Sequence, residues 1–195
     1  MTKVYIYDKT KKEHNLDELK SNIPYNIKRK YQQSEDILNS LLGYTLLSKY
    51  LNDDFGYTNK NLTYNEFGKP YLKDIYFSIS HSHNMIALII SNEECGIDIE
   101  YIDKDRNYDL LSKKILSDNE YDIYINELQK EEYFITCWTK KEAFLKSLGT
   151  GIIKSKLSEV DENINSLKIV DGNNKEYIIS IYSKESFNIK KDCTI

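Results

Sequence analysis

Glu94-Cys95-Gly96-Ile97-Asp98-Ile99-Glu100 reads as a short strand entered through a glycine. Side chains on a strand alternate between faces, so Ile97 and Ile99 point one way and Asp98 and Glu100 the other. The two carboxylates then lie about 6.5–7 Å apart along one face. Charges that close repel unless water, a base or a cation stands between them. A hard divalent cation satisfies both, because Mg²⁺ takes one or two carboxylates together with phosphate oxygens. The plainer reading is an amphipathic strand with a solvated acidic face.

The chain of 195 residues suits one sizeable domain or two small lobes, with enough surface burial for a stable core. Hydrophobic residues at 40% and charged residues at 30% give a soluble globular balance. The net charge of −4 argues against a general nucleic-acid binder. The three cysteines, Cys95, Cys137 and Cys193, are widely spaced and form no CxxC, which argues against structural zinc and a disulfide framework. No apolar run approaches the roughly 20 residues of a membrane helix, so no membrane partner is expected. The start Met1-Thr2-Lys3-Val4-Tyr5 lacks the order of a signal peptide. A reducing, cytoplasmic setting is expected.

Val4 to Tyr7 predicts an opening strand. Ser34 to Leu51 predicts a helix capped by Ser34, with an apolar stripe of Ile37, Leu41, Leu42, Thr45, Leu46 and Tyr50. Asn65-Glu66-Phe67-Gly68-Lys69-Pro70 is a turn. Phe77-Ser78-Ile79-Ser80 alternates as a strand, His81-Ser82-His83-Asn84 reads as a polar corner, and Ile86 to Ile90 reads as a strand covered on both faces. Leu110–Leu116 and Asp118–Tyr124 predict helices, the second with a capping box from Ser117 to Glu120. Glu131 to Leu148 predicts a long helix closed by Gly149. Strands at Leu167–Val170 and Tyr177–Tyr182 flank the turn Asp171-Gly172-Asn173, and Phe187–Ile195 predicts a last strand. Strands and helices do not alternate regularly, which favours an α+β fold.

On the long helix, Phe134, Trp138 and Leu145 share one face at helical spacing, and Glu142 falls on the same inward side. A carboxylate there needs a partner. One reading is a surface pair with Lys146 at the favourable i, i+4 spacing. The other is that Glu142 completes a cation site begun by Asp98 and Glu100.

The order Gly96-Ile97-Asp98-Ile99-Glu100, then Trp138-Thr139-x-Lys141-Glu142-Ala143-x-x-Lys146, resembles the signature of the 4′-phosphopantetheinyl transferases. Upstream, Phe67-Gly68-Lys69-Pro70 and Phe77-Ser78-Ile79-Ser80-His81-Ser82 are similar to the other blocks of the surfactin-synthetase-activating (Sfp-like) branch. The resemblance implies an α+β, pseudo-dimeric two-lobed fold, each lobe a small, mainly antiparallel sheet packed with a long helix. An N-terminal lobe over residues 1–90 and a C-terminal lobe over 91–195, carrying the metal site, are expected.

It also implies transfer of the phosphopantetheine arm of coenzyme A to a serine of an acyl or peptidyl carrier protein, releasing 3′,5′-ADP, by a monomer. By matching position, Asp98, Glu100 and Glu142 would hold Mg²⁺, or Mn²⁺ with the same oxygen ligands. Lys146 would touch the pyrophosphate, Ser80 and His81 the phosphates, and Gly68-Lys69 the adenine. Glu142 is the expected general base, with Glu120 as a second candidate. Where this branch usually carries an arginine before Leu-Leu-Gly, the chain has Asn39. Lys28, Arg29 or Lys30 is placed to supply that charge to coenzyme A. The rival readings are a coenzyme A- or nucleotide-binding module without transferase activity and a structural interaction protein with acidic strands.

Overall fold

The β-branched and aromatic run at the start of the chain forms β1 (Thr2–Asp8) in the computed structural model. The structure describes residues 1–21, 34–58, 61–151, 164–191 and 193. After a single 3₁₀ turn (Lys9–Lys11) come α1 (Leu16–Ser21), α2 (Ser34–Phe55), β2 (Thr63–Tyr64), β3 (Pro70–Tyr71), β4 (Tyr76–Ser82), β5 (Met85–Ser91) and β6 (Cys95–Tyr101). There follow α3 (Asp109–Ile115), α4 (Asp118–Asn126), α5 (Lys130–Leu148), β7 (Ile164–Val170), β8 (Glu176–Ser183) and β9 (Phe187–Lys190).

Two sheets carry the fold. The first has the order β4-β5-β1-β9, antiparallel except where β9 runs parallel to β1. The second is the antiparallel set β6-β8-β7. Each has a long helix on its outer side, so the expected α+β architecture of two sheet-and-helix lobes is the one observed. One face of the first sheet (Tyr5, Tyr7, Leu88, Ile90) packs on Leu42, Leu46 and Tyr50 of α2. Its other face (Val4, Ile6, Ala87, Ile89) meets Ile97, Ile99, Ile179 and Ile181 of the second sheet. A third apolar cluster joins α3, α4 and α5 over Ile178. The alternation along β6 therefore buries its isoleucines between the sheets and turns Asp98 and Glu100 the other way.

Several boundaries differ from expectation. α2 continues to Phe55, because the stop is Gly56 in a left-handed conformation (φ 61°), after which the Tyr57 amide bonds the Leu51 carbonyl. His81 and Ser82 belong to β4 rather than to a corner, since the ladder with β5 continues through His81↔Ile86 and Ser82↔Met85. The reversal falls at His83-Asn84, with His83 at φ 48°. β9 stops at Lys190. Trp138 is half-buried at the edge of the third cluster, and Thr139, Ala143 and Ser147 are fully or nearly fully buried. The Ser117–Glu120 capping box and the left-handed Gly149 cap (φ 70°) form as expected. The Ser34 cap lies outside the described side chains.

Gly96 sets the distance between β6 and α5. A Cβ at this position would overlap the Ala143 carbonyl oxygen and stand 2.8 Å from the Ser147 nitrogen. Both obstacles are backbone. A second tie joins the lobes at the ends of their turns. Asn84 Nδ2 and the Tyr177 hydroxyl each donate to Asp171 Oδ2 at 2.9 Å, the amides of Asn173 and Lys175 donate to Oδ1 at 2.8 and 2.9 Å, and the Gly172 amide donates to Asp8 Oδ2 at 2.8 Å. Burial alone would raise the Asp171 pKa, but these hydrogen bonds outweigh it and hold it below the usual carboxylate range.

Gly96→Ala lowers unfolding stability by about 3 kcal/mol or more, measured by urea denaturation. Asp171→Asn costs about 1–3 kcal/mol near neutral pH. A folded pKa below the unfolded one stabilises above the unfolded value, so the gap between wild type and Asp171→Asn is full above about pH 4 and shrinks as pH falls further. Denaturation curves across acid pH measure that narrowing.

Candidate active site

β4 alternates Ser78, Ser80 and Ser82 on one face with Phe77, Ile79 and His81 on the other. The serine face meets β6 without a shared backbone ladder, and the hydroxyls bridge the two strands. Ser80 Oγ donates to Asp98 Oδ1 at 2.7 Å and accepts from the Ile99 amide at 3.3 Å. One step along, Ser82 Oγ donates to Glu100 Oε2 at 3.0 Å and accepts from the Tyr101 amide at 3.1 Å.

Lys146 of α5 reaches the same point. Its Nζ lies 2.6 Å from Asp98 Oδ1 and 2.9 Å from Ser80 Oγ. Of the two readings of Glu142, the surface pair with Lys146 is not the one Lys146 makes: it pairs with Asp98, because α5 lies against β6 and the buried carboxylate is within reach. Asp98 Oδ2 and Glu142 Oε1 are buried and, among the described residues, have no hydrogen-bond partner. Burial, then the charges of Asp98 and Glu142, push the Glu100 pKa up to about 7, against the pull of the Ser82 hydroxyl and Lys146. Burial and then Asp98 raise Glu142, and Lys146 opposes. The Asp98 charge therefore acts on both glutamates.

Among the described residues, no three His, Cys, Asp or Glu side chains stand together as a ready metal-holding group; the Lys146 ammonium is on Asp98 instead. The donor set nevertheless fits a hard cation. It is made of carboxylate oxygens, two of them buried without partners, and a site with this chemistry takes Mg²⁺ or Mn²⁺.

Glu142 and Lys146 border a cleft of about 360 Å³ between α2, the β2–β3 hairpin, β4 and α5. Ser40 and Tyr44 line it from α2, Phe67, Gly68 and Lys69 from the hairpin, and His81 from β4. In the hairpin, Asn65 Oδ1 accepts from the amides of Phe67 and Lys69 at 3.1 and 2.8 Å, and Gly68 sits at φ 81°. Lys69 Nζ donates to the Lys146 carbonyl, and to that of Ser147 at 3.1 Å, while Asn65 Nδ2 donates to the Gly149 carbonyl at 2.8 Å. These bonds satisfy carbonyls left open at the end of α5. Burial lowers the Lys69 pKa. Burial and then the Lys146 charge also lower that of His81, so His81 meets the cleft as a neutral imidazole.

The structure joins Asp98, Ser80 and Lys146 by direct bonds and sets Ser82 on Glu100 one step along the same strands, with Glu142, Lys146, His81 and Lys69 on the walls of the adjoining cleft; among the described residues it does not gather the three carboxylates into one metal-holding group. It does not bring Glu120 to this group. Glu120 pairs with the buried Lys141 at 2.8 Å and accepts from the Ser117 amide at 2.7 Å. Lys28 and Lys30 lie outside the described residues. Asn39 is buried and accepts from Lys9 Nζ at 3.0 Å, and Lys9 also pairs with Glu35 at 3.0 Å. Sequence reasoning missed Lys9, Ser82 and Ser40. The strand period of Ser78-Ile79-Ser80-His81-Ser82 could have found Ser82. Nothing local points Lys9 towards a helix far along the chain.

The cleft is thus bordered by a carboxylate, Glu142, and by the lysine that pairs with Asp98. Residues 94–191 match the family described as the 4′-phosphopantetheinyl transferase superfamily. The chain is 34% identical over 165 residues to 4′-phosphopantetheinyl transferase gsp of Aneurinibacillus migulanus, covering 81% of this chain and 68% of the relative. It is 29% identical over 132 residues to 4′-phosphopantetheinyl transferase Sfp of Bacillus subtilis (strain 168), covering 64% and 58%. It is 36% identical over 94 residues to 4′-phosphopantetheinyl transferase AcpT of Escherichia coli (strain K12), covering 45% and 48%. The chain belongs to the 4′-phosphopantetheinyl transferase superfamily. The matches span both Sfp-like and AcpT-like relatives.

Ser80→Ala removes hydrogen bonds to Asp98, Lys146 and the Ile99 amide. It lowers stability by about 1–3 kcal/mol, read as a lower thermal midpoint without loss of the native circular-dichroism spectrum.

Proposed function

We propose that this chain transfers the 4′-phosphopantetheine arm of coenzyme A to a serine hydroxyl of an acyl or peptidyl carrier protein and releases 3′,5′-ADP. Membership of the family supports the general transfer. The observation that carries the particular reading is Lys146 on Asp98, with two unpartnered buried carboxylate oxygens beside it, at the edge of the cleft. Within this reading the protein is of the Sfp-like branch, acts as a cytoplasmic monomer, and divides into lobes at residues 1–90 and 91–195.

Coenzyme A would lie in the cleft with its adenine against Gly68 and Lys69 and its phosphates towards His81, Ser80 and Lys146. Lys28 and Lys30 belong to the same proposal as contacts to the cofactor. Asp98, Glu100 and Glu142 would hold Mg²⁺, which when bound supplies charge neutralisation at the pyrophosphate. Lys146 offsets charge on the departing ADP once it turns from Asp98. Glu142 is the proposed base. Its Oε1, without a hydrogen-bond partner among the described residues, can accept the serine proton as the hydroxyl oxygen bonds to the phosphorus that bears the pantetheine arm and the bond from that phosphorus to 3′,5′-ADP breaks. Glu120 is assigned a positioning role through Lys141, since both of its interactions lie on α4 and α5 away from this group.

Incubation with coenzyme A, Mg²⁺ and apo-carrier proteins, followed by mass spectrometry of the carrier, tests the proposal. The expected result is a mass gain of one phosphopantetheine, abolished by EDTA and restored by Mg²⁺. Carriers of fatty-acid, polyketide and nonribosomal-peptide type that all stay unmodified would sink it. Glu142→Gln lowers turnover by about 10²–10⁴-fold with the fold intact. Turnover at the wild-type rate would remove Glu142 from the chemistry.

A further inference from the structure

Asp98 already holds a cation. Its Oδ1 receives the Lys146 ammonium at 2.6 Å and the Ser80 hydroxyl at 2.7 Å. The carboxylate is 4% exposed and the lysine side chain 31%. The acid is therefore fixed in the wall, while the ammonium sits at the solvent edge on a flexible stem. A divalent cation placed on Asp98 beside that ammonium meets like-charge repulsion over a few ångströms of partly buried space.

We propose that Lys146 competes with the divalent cation for Asp98, so that the cation binds tightly only when an anionic group in the cleft draws the ammonium off the carboxylate. This rests on the transferase reading, which supplies both the cation and the phosphate groups. The residues lining the cleft favour Lys146 as the charge that moves. Lys69 is committed to the carbonyls of Lys146 and Ser147, and burial holds His81 towards its neutral form. Lys146 faces both the cleft and Asp98.

The consequence is a linkage. By whatever factor the anion raises affinity for the cation, the cation raises affinity for the anion, and such factors typically run from about 5- to 150-fold. The two ligands then enter as a pair, and metal alone is held weakly. Ser80 strengthens the competition, because its hydroxyl bonds both members of the ion pair.

Titration of the full chain with Mn²⁺, followed by electron paramagnetic resonance of the free ion, tests this without reference to turnover. Lys146→Met removes the charge and keeps the stem. It is expected to bind Mn²⁺ about tenfold or more tightly than wild type in the absence of coenzyme A. Lys146→Arg retains a cation and should stay near wild type. Coenzyme A should tighten Mn²⁺ binding by wild type by a larger factor than it tightens that of Lys146→Met, where only the phosphate oxygens it offers the ion remain to help.

Removing one partner of a buried pair can itself unfold a protein. If circular dichroism shows Lys146→Met unfolded, Lys146→Gln replaces it, with the Mn²⁺-dependent rise in thermal midpoint as the readout. A larger rise than in wild type supports the proposal, and an equal or smaller rise overturns it. Mn²⁺ affinity unchanged or weakened by Lys146→Met overturns the competition alone. Absence of Mn²⁺ binding by every variant, with and without coenzyme A, overturns the metal site and the transferase reading together.

Discussion

The contact on which this molecule depends is the approach of α5 to β6 at Gly96. A glycine lets the helix backbone at Ala143 and Ser147 come down onto the strand. That approach brings Lys146, one turn along from Glu142, within reach of Asp98, one residue past Ile97. A larger residue at Gly96 would hold the helix off, and the acid and the ammonium would each face a gap. A packing constraint made of a missing side chain thus sets the geometry of the charged groups.

The charged groups in turn bind the two lobes. β4 and β6 lie in different sheets and share no backbone ladder. Ser80 and Ser82 join them, each with one bond to a carboxylate and one from a backbone amide of β6. Buried polar groups are costly unless satisfied, so this row of hydroxyls stabilises the seam only as a complete set. Asp98 Oδ2 and Glu142 Oε1 are the unsatisfied remainder. Unmet acceptors beside a network that is otherwise paired are what a ligand-binding position is expected to leave. At the turns, the carboxylate oxygens of Asp171 and Asp8 are all bonded and act as a clasp.

The same electrostatics separate the acids into unequal roles. Asp98 is neutralised by Lys146, whereas Glu100 and Glu142 are held towards their protonated forms by burial and by Asp98. Three carboxylates cannot all be charged and dry in one place without a compensating cation. Lys141 illustrates the contrast. It is fully buried but matched by Glu120, which also closes the cap of α4, and this pair fastens one helix to another.

Much of this was readable along the chain. The period-2 alternation of β6 and β4, the apolar run of β5, the capping box at Ser117 and the glycine closing α5 are local patterns. Each is dictated by backbone geometry and by which faces must avoid water. They determined the α+β class, most elements, and the acids and Ser80 that face the site. What the tertiary structure decided was the pairing. Lys146 chose Asp98 over its helical neighbour Glu142, Lys69 turned to the end of α5, Lys9 met Asn39, and Glu120 was drawn to Lys141. Long flexible side chains can reach several partners, and which one they take depends on distances between elements remote in sequence. Those distances are set by close packing at points such as Gly96, whose obstacle lies on a helix more than forty residues further along the chain.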